Sequence, residues 1–412
     1  MERLSALSSS QWRRLLPWLD TSGLALPFFD RLGELSATEV LPAPVRHRLA
    51  QNLEDNRART AALIAEWHDV HLRFERAGLS YCTVKGFSLW PVSVPKPELR
   101  SQLDLDFLIA EGDAPRAREI LEEMGYRLQA ISGVSWEFKY SSNLAPTLKD
   151  LYQPFFQRSI ELHLEVVNRE AASRQPENRG TANGERLEPA PAAGASRLAR
   201  SEVRTIFGIA MPVLSPVDLF LGQGLHLAKH LCAEHVRTAH LVEFRRHVLA
   251  RFWDYEFWME VREMGERQPG TSWKLGFAIA TITRVMGEFA PRALSCWTSD
   301  RLPASTRRWV EWYGPRAVFA GFPGTKLYLL LEGDALPCGP MGRSRLQSLV
   351  PHALPAAIEH PAAGETAAER AGRYYRRLRF YASRFRFHSV EGLRFVYETA
   401  RWSRGRRSLR SL

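Results

Sequence analysis

At 412 residues the chain can bury the cores of two or three domains and has no need of disulfide staples. Its four cysteines, Cys82, Cys232, Cys296 and Cys338, lie far apart with no CxxC pair, which excludes a disulfide framework or a zinc knuckle and fits a reducing cytoplasm. The net charge of +11 is matched by one segment alone, since thirteen arginines stand against two glutamates between Arg370 and Leu412. The opening "MERLSALSSSQWRRLLPWLD" lacks the continuous apolar stretch of a leader, and no segment reaches membrane-spanning length without a charge. A soluble, cytoplasmic protein is expected.

In chain order, residues 1–78 read as an N-terminal helical segment, because "VRHRLAQNLEDNRARTAALIAEWHDVHLRFERAG" has helical apolar periodicity and stops at Gly78, a C-cap residue. From Leu79 the pattern changes to short strands. "LSYCTV", "QLDLDFLI", "YRLQ", "WEFKYS" and "SIELHLEVV" are strand candidates, and "APRAREILEEMG" has helical spacing with a terminal glycine. These define an α/β core over 79–212. Within it, residues 171–200 are rich in Ala, Pro, Gly and charge and predict a mobile insertion. Ser215-Pro216 is a helix start signal and opens a helical domain over 213–300. Residues 301–412 form a C-terminal region that ends in the arginine-rich tail.

Asp104 and Asp106 are one residue apart in an apolar run. Successive side chains of a strand point to opposite faces, so the two carboxylates share one face while Leu103, Leu105 and Phe107 share the other. Like charges held that close need a cation or a shared proton. The bland alternative is the solvated face of an edge strand. On "SIELHLEVV" the same alternation sets Glu161, His163 and Glu165 on one face. Glu161 with Asp104 and Asp106 makes a three-carboxylate cluster able to hold Mg²⁺, and Glu165 competes for that place. Upstream, the missing side chain of Gly86 lets backbone approach a phosphate. His226 and His230 have zinc-like i, i+4 spacing on a helix, but no Cys or carboxylate at matching spacing completes a site, so they read as pocket-rim or packing residues, as does His163 beside the cluster. "GFPGTK" at 321–326 lacks P-loop spacing and reads as a turn.

The order Lys85-Gly86, Arg100, Asp104-Leu105-Asp106 and Glu161-Leu162-His163 resembles the bacterial nucleotidyltransferase family within the DNA polymerase beta superfamily, over about residues 40–290. The resemblance implies an α+β fold with a mixed sheet and flanking helices. It also implies a two-metal transfer, with Mg²⁺ or Mn²⁺ held by the catalytic and metal-binding residues Asp104, Asp106 and Glu161, of a nucleotidyl group from an NTP such as ATP to a hydroxyl. Lys85, Gly86, Ser88 and Arg100 would contact the nucleotide. The superfamily follows its glycine with Gly or Ser, whereas Phe87 stands here and Ser88 comes one later, which shifts weight onto Lys85. The acceptor is left open among a small molecule, a peptide or protein side chain, and an RNA end. The alternative is a nucleotide-binding protein of the same fold without turnover.

The tail "AERAGRYYRRLRFYASRFRF" interleaves arginines with aromatics and offers a contact for an anionic partner. Read as a helix, it brings Leu378, Tyr381 and Phe385 into an apolar stripe expected to dock on the helical domain, with the arginines outside.

Overall fold

Seven strands make one mixed sheet in the computed structural model, which describes residues 2–140, 150–154, 158–165, 196–331 and 366–410. The strands are β1 (Tyr81–Thr83), β2 (Asp104–Ala110), β3 (Tyr126–Ser132), β4 (Ser135–Tyr140), β5 (Ser159–Glu165), β6 (Glu202–Ile206) and β7 (Ile209–Val213). Their order across the sheet is β3-β4-β5-β2-β1-β7-β6. β2 therefore lies in the middle, parallel to β5 and antiparallel to β1. A central strand is covered on both faces, and Leu105 through Ile109 are all buried. The edge-strand alternative is thereby removed.

Four helices precede the sheet, α1 (Glu2–Ser5), α2 (Ser9–Ser22), α3 (Ala25–Glu34) and α4 (Ala43–Arg76). α4 stops as its sequence demands, at Gly78 with φ +67. Its Leu63, Trp67, Val70 and Phe74 recur at helical spacing and pack on Leu105, Phe107, Ile109, Ile160 and Leu162, joined by α5 (Ala114–Glu123). That apolar layer covers one face of β2 and β5 and turns the acidic side chains to the other. Leu103 precedes the strand and is exposed, so the apolar face begins at Leu105. β6 and β7 were not among the strand candidates. Their hairpin turns on Phe207 (φ +49) and Gly208 (φ +85), a two-residue loop written without the usual Asn-Gly signal.

The second half is helical, with α6 (Pro216–Leu231), α7 (Thr238–Ala250), α8 (Tyr255–Glu266), α9 (Thr271–Met286), α10 (Arg292–Ser295) and α11 (Ala304–Val318). Ser215 caps α6, accepting from the Asp218 amide at 3.2 Å. One apolar cluster runs from Val217 to Leu331 and includes Trp402 of the long tail helix α12 (Ala367–Arg410). Among the described residues no helix is long and apolar enough to cross a membrane.

The tail is helical, but it docks through a different face from the one expected. Tyr374, Leu378, Tyr381 and Phe385 are exposed, while Phe387, Glu391, Glu398 and Trp402 are buried. Those four also recur at helical spacing. Glu398 accepts from the Tyr313 hydroxyl at 2.9 Å, and Trp402 lies 6.0–6.1 Å from the Tyr313 and Trp312 rings. The docking face thus pairs the aromatics Phe387 and Trp402 with the acidic groups Glu391 and Glu398. Most of the expected insertion at 171–200 lies outside the described residues. At 321–326, Gly324 has φ +103, as a turn requires.

Candidate functional site

β2 and β5 run parallel with Asp106 opposite Glu161 and Leu108 opposite His163. Lys85 follows β1 in extended backbone, and the Val84 amide donates to the Asp106 carbonyl at 3.4 Å, tying the two segments together. The Lys85 ammonium then donates to Asp106 Oδ1 at 2.9 Å. His163 Nε2 lies 3.0 Å from the same oxygen, 3.3 Å from Lys85 Nζ and 3.6 Å from Glu161 Oε2. Ser135 of β4 donates to the other Glu161 oxygen. Asp106, Glu161 and His163 offer ligand atoms all within 4.8 Å of one another.

The charges respond to this crowding. Burial, and then the neighbouring Asp106 charge, push the Asp104 carboxyl up to about 6. For Asp106, burial also acts against the charge, but the Lys85 ammonium and His163 outweigh it and hold the carboxyl well below the usual range. Burial opposes the Lys85 charge too, yet Asp106 raises its pKa above the ordinary value. One lysine therefore satisfies one aspartate, and Asp104 remains short of positive charge.

Gly86 has φ +60, and a Cβ there would lie 2.4 Å from the Gln102 amide nitrogen. Gln102 in turn donates to the Asp104 carbonyl at 2.9 Å and accepts from Arg100 Nη1 at 3.0 Å. The glycine thus seats the amide that links Arg100 to the backbone of β2. Glu243 of α7 holds the other side of Arg100, accepting from Nε at 3.0 Å. Ser88 is fully buried with its hydroxyl on the Lys85 carbonyl at 3.0 Å, so in this conformation it does not face the site. Phe87 points into the core, 5.4 Å from Trp67 and 5.7 Å from Phe207 by ring centroids. That packing accounts for a large residue where a small one was expected.

Glu165 has a structural task. It accepts from the amides of Arg197 and Leu198 at 2.8 and 3.1 Å and from the Ser196 hydroxyl, anchoring the chain ahead of β6. Of the two competing glutamates, Glu161 is the one beside Asp106. Two depressions are lined by residues of this region. One, of about 240 Å³, is lined by Asp104, Glu161 and the serines Ser132, Ser135 and Ser159. The other, of about 40 Å³, is lined by Lys85, Arg100, Gln223, His226, His240 and Glu243. His230 stands one turn along α6 from His226, with ring centroids 4.4 Å apart. Gln102 and His240 were not singled out from sequence. Gln102 had only its place before the DxD strand as a signal, and His240 comes from a separate helix with no motif of its own.

A mixed sheet presenting two aspartates and a glutamate on one face, with a lysine reaching them and a helical lobe alongside, is a nucleotidyltransferase-like α+β fold. A family model described as an uncharacterised nucleotidyltransferase matches residues 8–285, more than half of the chain, and the chain belongs to that family. Comparison with curated proteins gives no match.

Proposed function

We propose that the protein transfers a nucleotidyl group from an NTP, ATP being the first to test, to a hydroxyl acceptor with the help of Mg²⁺ or Mn²⁺. The observation that carries this reading is the set of carboxylates on one sheet face, Asp106 in register with Glu161 and Asp104 alongside, with more negative charge than Lys85 neutralises. Asp106 and Glu161 offer oxygen ligands, with the His163 ring nitrogen within 4.8 Å of both, and Asp104 lies two residues from Asp106 on the same strand face, a set that fits a hard divalent cation, which prefers oxygen. When bound, the metal supplies charge neutralisation on the phosphates and lowers the pKa of an acceptor hydroxyl.

The chain's own groups divide the remaining work. Lys85 offers a point charge to the phosphates, and Arg100, fixed by Glu243 and Gln102, offers a planar guanidinium that cannot swing away. His163 and Ser135 orient Asp106 and Glu161. The serine-lined depression beside Glu161 suits a hydroxyl-bearing acceptor, whether a small molecule, a peptide or protein side chain, or an RNA end. The motif order supports a place in the polymerase beta superfamily and a bacterial source. The wide spacing of the four cysteines, with no CxxC pair, supports a cytoplasmic location.

Incubation with α-labelled NTPs and Mg²⁺ should give labelled product or self-labelling together with pyrophosphate. The alternative, a nucleotide-binding protein without turnover, is favoured by one observation: the Lys85 ammonium sits on Asp106 at 2.9 Å, where it competes with a cation. Nucleotide binding by calorimetry with no pyrophosphate over a broad acceptor screen would select that alternative.

A further inference from the structure

A second cluster lies on the helical side of the pocket, built entirely from nitrogen donors. His226 and His230 stand one turn apart on α6, and His240 reaches them from α7 with its ring 5.5 Å from each. One ring nitrogen from each of the three lies within 4.8 Å of the others. The Nδ1 atom of His240 is buried and has no hydrogen-bond partner among the described residues. A buried, unpartnered nitrogen on a ring packed against two more imidazoles costs free energy unless something accepts its lone pair or its proton.

We propose that His226, His230 and His240 form a binding site for one divalent transition-metal ion of the Zn²⁺ or Co²⁺ type, separate from the carboxylate site. Neutral imidazoles are the form that ligates, and burial first, then neighbouring charge, hold these side chains neutral: His226 is lowered to about 3 and His230 to about 4, while His240 lies well below its ordinary value. A set of three nitrogens selects Zn²⁺ or Co²⁺ and discriminates against Mg²⁺, which demands oxygen. With metal–nitrogen bonds of about 2.0–2.1 Å, tetrahedral ligands stand about 3.3 Å apart, so the rings close by roughly 1.5 Å at most on binding. Small rotations about χ1 and χ2 achieve that. Three protein ligands leave a fourth position open, as in catalytic rather than structural zinc sites. Because His226 and His240 line the same depression as Lys85 and Arg100, that position opens toward cationic groups that would draw in an anionic oxygen.

This inference does not depend on nucleotidyl transfer. Co²⁺ titration of the full chain, read by visible absorption, should give the intense bands of four-coordinate Co²⁺ at one equivalent, displaced by Zn²⁺ and untouched by excess Mg²⁺. His226→Ala and His230→Gln, each checked by circular dichroism for an intact fold, should weaken binding by more than about 100-fold. Glu161→Gln should bind Co²⁺ as the wild type does. Absence of the bands in the wild-type protein, their persistence in both histidine variants, or their loss in Glu161→Gln would each overturn the proposal. The wild-type titration alone decides against it should the variants fail to fold.

Discussion

Replacing Lys85 by Met keeps the length of the side chain and removes its charge, leaving Asp106, 4% exposed, without its strongest partner. Breaking one member of a buried ion pair costs about 3–5 kcal/mol. Two features reduce that figure here. The Lys85 side chain is 35% exposed, so solvent already screens the pair, and His163 keeps its 3.0 Å contact with the same oxygen. A loss of about 2–3 kcal/mol remains, or about 2–4 °C in Tm for a chain of this size. The sign with pH is fixed by both partners. Lys85 has a raised folded pKa, so its contribution is complete below the ordinary lysine pKa and lost only as pH rises through the folded value; Asp106 has a depressed one, so its contribution is present above the ordinary aspartate value. Thermal unfolding at pH 7.5 falls inside both windows. With the ammonium gone, millimolar Mg²⁺ or Mn²⁺ should raise the Tm of Lys85→Met more than that of the wild type, because the cation then enters without displacing a lysine. An unchanged Tm without metal, or equal metal-induced shifts in the two proteins, would refute the reasoning.

Asp104 titrates at about 6, so a cation binding there competes with a proton below that pH; Mn²⁺ affinity followed by electron paramagnetic resonance should fall by up to about tenfold per unit below pH 6, and a flat profile between pH 5 and 7 would remove Asp104 from the metal site. Phe87→Ala should cost about 3–5 kcal/mol in urea denaturation, because the ring fills space between Trp67 and Phe207; a cost below about 1 kcal/mol contradicts that packing. In the tail, Trp402→Ala should cost about 3 kcal/mol and Phe385→Ser no more than about 0.5 kcal/mol, since the first is buried and the second exposed, and the reverse order would restore the docking face expected from sequence.

The part of the site carried by strands was legible because strand alternation admits only two arrangements. Once Leu105 and Phe107 face a helix layer, Asp104 and Asp106 have nowhere else to go. The choice between Glu161 and Glu165 could not be made by alternation, which sets both on one face. It rests on the amides of Arg197 and Leu198, more than thirty residues further along the chain, which occupy Glu165. Gly86 was read as a close approach of backbone to phosphate, and its close approach to the Gln102 side chain was not foreseen, since no local motif records it. His240 escaped notice because its cluster spans two helices and an intervening turn, and no local spacing records that α6 and α7 meet there. The tail helix was foreseen, but its arginines and aromatics occur on every side, so periodicity offered more than one stripe. Tyr313 and its bond to Glu398 select among them.

If Asp104, Asp106 and Glu161 hold the metal for nucleotidyl transfer, as proposed, pyrophosphate release from NTP depends on them. Under Mg²⁺ or Mn²⁺, across an acceptor screen, the wild-type protein should release pyrophosphate, and Asp106→Asn should release it at least about 100-fold more slowly while folding normally by circular dichroism. Equal rates from the wild type and a folded Asp106→Asn variant would contradict the account.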